Sequence, residues 1–483
     1  MAAEIPRNSA SFTLEEIARA TGGRLVGDAA LTTRSVSIDT RTMQPGALFV
    51  SLRSPSNDGH NYLSQAHERG AAAAIVENGR ALGGFPAIEV SDTLLAIGAL
   101  ARFHLARERA ARRLPTIAIG GAVGKTTTKE LTAIVARALF GPTLATTANF
   151  NNRIGVPMTI FTLTREHRAA VIECGTNQPG EIAHLARIVE PDVAMVLNVD
   201  LEHTEGLGTL DDVADEEAAL FSTAKAIAIT SDAEPLVLAR IPRHMRELTF
   251  GKSTKAAVRL VDRVIEAPGR SRVKYALARA LAEGETPAIV ESTIQLLGEA
   301  AALNCAAAIA AGAALSAAPL SGTQLSAIAT ALAAAAPVPG RLSTRRIGDL
   351  VVLDDSYNSS PRALIAALAA AGEVAEGLGA RLVLALGDML ELGALSEQAH
   401  KDAISAAVAS RPAALIAVGP AMSAAASASE VGGAAGAVHL ACAPDIAAAT
   451  ALVAAAIRPG DVLLVKGSRG IAMEGIIDAL ARR

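Results

Sequence analysis

The run Ile117-Ala-Ile-Gly-Gly-Ala-Val-Gly-Lys-Thr-Thr-Thr128 constrains this 483-residue chain more than any other. A short apolar strand enters a glycine loop, which opens into a helical stretch from Lys129 to Phe140. That order gathers backbone N–H groups and a helix N-terminus around an anion. Lys125 would reach the β- and γ-phosphates, and the Thr126 hydroxyl would hold Mg²⁺. Ile119 stands where the full phosphate-loop pattern has its first glycine, leaving the shorter form Gly121-x-x-Gly124-Lys125-Thr126. With Pro115 and a strand before it and a helix after it, the loop has the context the motif needs. The chain is expected to bind a nucleoside triphosphate.

A chain this long is expected to form about two to four domains, each with its own core. The formal net charge of −4 gives no electrostatic case for a nucleic-acid partner, and with no Trp there is little to stack on bases. Three widely spaced cysteines argue against a disulfide framework. Met1 to Phe12 lacks the apolar stretch of a signal peptide. The alanine-rich run Ala301–Ala318, broken by Asn304, Gly312 and Ser316, reads as a buried helix rather than a membrane span. A soluble cytoplasmic protein without a membrane partner is expected.

Thr13-Leu-Glu-Glu16 is a capping box that opens a helix. Short strands and helices then alternate, through Leu48–Leu52 and Ala72–Val76, to a charged helix at Leu105–Arg113. Residues 1–113 read as a small α/β domain. Residues 114–336 carry buried-strand runs at Thr116–Ile119, Ala170–Ile172, Val193–Val199 and Ala226–Ile229, the pattern of a parallel sheet with crossover helices. Pro337-Val-Pro-Gly340 breaks the helices before it. Residues 337–483 form a third α/β block, with strands at Leu350–Leu353, Leu382–Leu386, Ala414–Val418 and Val462–Val465. Three of these end in polar residues: Asp354-Asp355, Gly387-Asp388 and Lys466-Gly467-Ser468-Arg469. Open parallel sheets bind ligands at that edge.

Glu173 directly follows a buried strand, where its carboxylate would help hold Mg²⁺ beside the loop. His203, after Asn198-Val-Asp-Leu-Glu, would reach the same region. Taken singly, each is also readable as a solvated loop group or a cap. Asn149-Phe-Asn-Asn-Arg-Ile-Gly-Val-Pro157 is rich in amides that donate to phosphate or sugar oxygens, and equally readable as a turn-rich loop. Asp39-Thr-Arg41 and Asn57-Asp-Gly-His60 stay ambiguous on their own.

In order along the chain these runs resemble the Mur ligases, in the type that adds D-alanyl-D-alanine. Ser37–Arg41, Pro45–Val50 and Asp58–His60 follow the family's uridine-nucleotide domain. The phosphate loop, Asn149–Pro157, Ile172–Gly175 with Gly180–Ile182, and His203–Gly206 follow its central domain. Pro339–Arg341, Asp354-Asp-Ser-Tyr-Asn358, Gly387-Asp-Met-Leu-Glu-Leu-Gly393 with His400, and Lys466–Arg469 with Met473-Glu474 follow its last domain. The resemblance implies a three-domain α/β fold: a small uridine-nucleotide domain, a P-loop parallel sheet and a Rossmann-like domain. It implies a monomer using ATP and Mg²⁺ to join D-alanyl-D-alanine to UDP-N-acetylmuramoyl-tripeptide through an acyl phosphate.

By the same resemblance Lys125 contacts the γ-phosphate, and Thr126, Glu173 and His203 serve magnesium. Arg341 contacts phosphate and Asp355 the ribose, while Gly121, Gly124, Thr127 and Asn304 complete the nucleotide site. Asp39, Arg41, Asn149, Asn152, Tyr357, Asn358, Lys466, Ser468 and Arg469 are the implied substrate contacts.

Four departures from the family pattern stand out. Gly120 replaces a threonine at the mouth of the loop. Glu217 replaces a lysine that the family carbamylates to present a carboxylate to a second magnesium; it would bind metal on a shorter arm, or belong to a solvated acidic helix face. Ala300 and Ala301 replace a His-Asn pair near the adenine, and Asn177-Gln178-Pro179 replaces Asn-His. These changes keep two alternatives open: a diverged ligase joining another carboxylate and amine, and a non-catalytic nucleotide- or UDP-sugar-binding paralogue. A folylpolyglutamate-synthetase-like role fits less well, since that relative lacks the uridine-nucleotide domain.

Overall fold

The computed structural model describes residues 4–202, 204–267, 269–284, 287–429 and 438–482. The capping box forms as expected: Thr13 Oγ1 accepts Glu16 N, the Glu16 carboxylate accepts Thr13 N, and the helix runs Leu14–Thr21. It lies against a five-stranded sheet in the order Arg24–Val26, Ala87–Val90, Ala73–Glu77, Leu48–Val50, Val36–Ser37. The charged stretch expected at Leu105–Arg113 is the end of a longer helix, Thr93–Ala111, whose buried residues lie mostly in its first half.

The middle sheet has nine strands. Thr143–Ala145, Ala169–Glu173, Thr116–Gly120, Val193–Val196, Ile227–Ser231, Arg246–Gly251 and Val258–Ala267 lie parallel in that order. Arg270–Leu277 and Ala288–Ile294 extend it antiparallel. The phosphate-loop strand is therefore central, flanked by the strands ending at Glu173 and at Val196. Apolar residues on both faces bury it completely, as a parallel strand with helices on each side requires. The run Val193–Val199 yields a strand only to Val196, because Asn198 turns away to bind the loop.

Helix Gly298–Leu315 is long and apolar enough by composition to cross a membrane, yet it packs into the core beside helix Lys125–Phe140. Tyr275 Oη donates to Ala302 O within that core.

The third sheet has the order Ser343–Ile347, Leu350–Asp355, Val462–Lys466, Leu382–Gly387, Ala414–Val418, His439–Ala443, parallel after the first strand. The strand ending at Lys466 sits beside the one ending at Asp355. Their C-terminal edges face the phosphate loop across a cleft of about 550 Å³.

Candidate active site

The loop is built by backbone demands that only glycine meets. Gly121 has φ +113°, and a Cβ there would come 2.8 Å from Leu197 N. Gly124 has φ +89°, with the Asn304 side chain 3.1 Å from where its Cβ would be. Asn198 locks the loop from the next strand: its Oδ1 accepts Val123 N and its Nδ2 donates to Val123 O, both at 2.8 Å. Lys125 opens the helix, and its ammonium donates to Gly121 O and Ala122 O. A phosphate would exchange those neutral acceptors for anionic ones.

Thr126 Oγ1 donates to Glu173 Oε1 at 3.2 Å, and Asn151 Nδ2 donates to the same oxygen at 2.7 Å. Glu173 Oε2 is buried and has no partner. A buried carboxylate oxygen left over beside a loop hydroxyl is the donor set a hard divalent cation prefers, so these residues fit magnesium. Among the described residues no three His, Cys, Asp or Glu side chains converge as a metal cluster. His203 lies outside the described residues.

Asp215, Glu216 and Glu217 turn out to have three separate tasks. Asp215 is exposed and paired with Arg240. Glu216 accepts Gly180 N and Ile182 N, both at 2.7 Å, at the start of helix Glu181–Val189. Glu217 is buried, and its Oε2 accepts Gly121 N at 2.6 Å. The solvated acidic face is thereby excluded for Glu216 and Glu217. Burial raises the Glu217 carboxyl above the ordinary range, opposed by the charge of Lys125 and the Gly121 N–H.

Across the cleft, Lys466 is almost fully buried and donates to Asp355 Oδ2 at 2.6 Å and to Asn358 O at 3.0 Å. Asp355 Oδ1 accepts Leu342 N, one residue past Arg341. The Arg341 guanidinium lies 4.3 Å from the centre of the Tyr357 ring and that of Arg469 5.5 Å from it, a cation–π pairing that presents two positive charges together. Ser468 Oγ accepts Leu390 N at 2.9 Å. Gly124, Lys125, Thr126, Thr127, Asn304 and Glu173 line one wall of the cleft, with Asn149 and Asn152. Arg341, Asp355, Tyr357, Asn358, Lys466, Ser468 and Arg469 line the other.

Some expected residues do other work. Asn152 Oδ1 accepts Gly155 N at 2.8 Å, so its carbonyl is used to start helix Gly155–Phe161. Asp388, expected with the polar strand ends, caps helix Pro420–Ala428 through Met422 N and does not line the cleft. Asp39 and Arg41 are outside the cleft too, paired with each other at 2.7 Å on the N-terminal domain, and Arg41 holds the Asp39 carboxyl below its usual range. Sequence reasoning missed Asn151 and Asn198. Both lay inside runs already noted for their amides or their place after a strand.

Three family models match the chain: "Mur ligase family, catalytic domain" over residues 32–104, "Mur ligase middle domain" over 119–312, and "Mur ligase, glutamate ligase domain" over 340–469. The UDP-N-acetylmuramoyl-tripeptide–D-alanyl-D-alanine ligase of Escherichia coli K12 is 34% identical, covering 97% of this chain and 98% of its own. The ligase of the same name from Bacillus subtilis is 31% identical, over 76% of each. A crystal structure of MurF from Acinetobacter baumannii superposes with TM-score 0.86 at 26% identity, covering 98% of this chain and 99% of its own. A Thermotoga maritima MurF solved with ADP shares the fold at TM-score 0.78 and 23% identity, covering 93% and 97%. The phosphate loop, the Thr126–Glu173 pair and the facing cationic wall thus sit on a scaffold matched along its whole length, and the chain belongs to the Mur ligase family, as a MurF-type ATP-dependent ligase.

Proposed function

We infer that this enzyme adds D-alanyl-D-alanine to UDP-N-acetylmuramoyl-tripeptide in peptidoglycan precursor synthesis. The observation that carries the reading is the cleft, which sets an anion-binding loop opposite Arg341, Lys466 and Arg469. ATP transfers its γ-phosphoryl group to the terminal carboxylate of the tripeptide, giving ADP and an acyl phosphate. The dipeptide amine then attacks the acyl carbon, the C–O bond to phosphate breaks, and an amide, inorganic phosphate and a proton result.

The residues act by position and charge. Lys125 leaves its loop carbonyls for the γ-phosphate, while Arg341 and Arg469 approach from the other wall to meet charge developing on the transferred group. Thr126 and Glu173 would hold Mg²⁺, which would neutralise phosphate charge. His203 and Glu217 complete the proposed metal set, Glu217 through its other oxygen, since Oε2 is engaged by Gly121. Asp355 takes the ribose and Asn304 the nucleotide side of the loop. Asn149 and Asn152 hold the sugar nucleotide, with Tyr357, Asn358, Lys466 and Ser468 around the peptide. Asp39 and Arg41 belong to the uridine end. One chain carries every part, so a monomer suffices, acting in the cytoplasm where ATP and nucleotide-linked precursors meet, with no nucleic acid or membrane as partner.

The test is ADP release from Mg-ATP and UDP-N-acetylmuramoyl-tripeptide, with and without D-alanyl-D-alanine, and the product mass. Dipeptide-dependent release with the pentapeptide nucleotide formed is expected. A second reading, the same chemistry on another carboxylate and amine, is favoured by the departure Asn177-Gln178-Pro179, whose Asn177 lines the cleft. ATP binding without dipeptide-dependent turnover would point to that reading or to a non-catalytic nucleotide-binding paralogue.

A further inference from the structure

Gly120 is a glycine that the backbone does not require. It closes the loop strand, and unlike Gly121 and Gly124 its φ is not positive. What a side chain there would meet is specific: its Cβ would come 2.8 Å from Glu217 Oε2 and 3.2 Å from Leu220 Cδ2. A carboxylate at the end of a flexible arm ordinarily swings aside. Glu217 is buried on all sides, however, and its Oε2 is the atom that accepts Gly121 N at 2.6 Å. Moving it strands a buried N–H in the phosphate loop. A side chain at 120 and this carboxylate–loop bond therefore exclude one another.

The helix that delivers Glu217 is fixed independently. Glu216, one residue earlier, is tied to Gly180 N and Ile182 N, and Thr209 with Asp212 makes a capping box at the start of the same helix, Leu210–Ala218. With Glu216 anchored on one side, Glu217 is turned towards the loop strand. Its charge faces Lys125, while Glu202 and Glu216 repel it.

We propose that Gly120 and Glu217 are one unit, in which Glu217 is a positioning residue: it fills the volume vacated at 120 and holds Gly121 N–H, fixing the phosphate loop before nucleotide arrives. This rests on the reading of the loop as the ATP site. The role belongs to the loop and exists without metal, so it is separable from any service Glu217 gives to magnesium.

The experiment is a double-mutant cycle with Gly120→Ala, Glu217→Ala and both together, plus Glu217→Gln. Melting temperature and ADP affinity in EDTA are the readouts. Gly120→Ala and Glu217→Ala should each weaken metal-free ADP binding by about tenfold, about 1.4 kcal/mol. The double variant should be no weaker than Glu217→Ala alone, because the alanine at 120 then has room. Glu217→Gln should recover most of the affinity lost in Glu217→Ala, since the amide oxygen still accepts Gly121 N. A Gly120→Ala chain that fails to fold while the double variant folds is the same coupling in extreme form.

Effects that simply add in both readouts, or metal-free ADP binding untouched by Glu217→Ala, overturn the pairing. Failure of the wild-type protein to bind ADP at all would instead bring down the nucleotide reading beneath it, and the positioning role with it.

Discussion

Asp200 of the middle domain caps a helix of the C-terminal domain: its Oδ2 accepts Ser360 Oγ at 2.6 Å and Arg362 N at 3.1 Å, at the start of helix Pro361–Leu378. Ser360, at the N-cap position, makes no side-chain cap within its own domain. The carboxylate supplies what the helix end lacks, and its charge suits the helix dipole. Arg362 adds an ion pair to the buried Glu234. Because Asn358, Ser360 and Arg362 follow Asp355 and Tyr357 directly, this cap sets how the cationic wall sits against the phosphate loop. Asp200→Ala should lower kcat by about tenfold with little change in KM for ATP, an effect of about 1.4 kcal/mol, within the range of a lost cap. It should also enlarge the radius of gyration in solution scattering. Unchanged kcat and scattering would mean that the cap does not govern domain placement.

On the proposed reading Lys125, Thr126 and Glu173 divide the labour at the phosphates, and their variants should separate accordingly. Lys125→Ala removes the one mobile cation of the loop and should reduce turnover by about 10³-fold, in the range of lost charge stabilisation. Thr126→Ala and Glu173→Gln should act through magnesium, raising the Mg²⁺ concentration for half-maximal activity while leaving metal-free ADP binding nearly intact. Titration of activity with Mg²⁺ beside calorimetry in EDTA decides this. Glu173→Gln with an unshifted Mg²⁺ requirement would remove Glu173 from the metal site.

The loop, Glu173 and the three blocks were legible because each is written locally: an apolar run, then glycines, then lysine and threonine. The far edge of the middle sheet, from Val258–Ala267 to the two antiparallel strands after it, was not. Val258–Ala267 is exposed over much of its length and mixes Arg, Asp and Glu with Val and Ile, so no buried run announces it. The choice among Asn149, Asn151 and Asn152 was likewise unreadable, since only the folded backbone aims Asn151 at Glu173 and turns Asn152 to a helix start. Glu217 was found by its position relative to the family pattern. Its bond to Gly121, 96 residues away in sequence, depends on a helix packing that periodicity does not encode.

His104 should make the chain acid-sensitive where its first two domains meet. Its ring packs edge-on to Phe12 at 5.5 Å and lies 6.3 Å from Phe161, with Nε2 buried and unpartnered. Burial, aided by Arg107, pushes its pKa down from 6.5 to about 4. Between those values the unfolded chain binds a proton that the folded chain does not. This contribution is therefore fully present above about pH 6.5 and is lost as pH falls towards 4, at most about 3 kcal/mol. His104→Leu should flatten the fall in melting temperature between pH 6.5 and 4.5. A variant with the wild-type acid slope would place the sensitivity elsewhere.

On the proposed reading the base lies against the apolar residues of the cleft, and this predicts tolerance. Leu296, Leu297, Ala300 and Ala301 line the cleft together with Ala363, Ala366 and Ala367, and Asn304 lines it too. An apolar pocket rejects a wrong polar edge weakly, whereas a site built to hydrogen-bond one rejects its absence strongly. GTP should therefore support turnover with kcat/KM within about 200-fold of ATP, since apolar pockets discriminate by only about 10–200-fold. Ala301→Asn, restoring an amide at a position that faces the cleft, should widen the preference for ATP and tighten its KM. The comparison of kcat/KM for the two nucleotides, in the wild type and this variant, is the check. Strong rejection of GTP by the wild-type protein would show that backbone groups read the base, and that the lost side chains at 300 and 301 were dispensable.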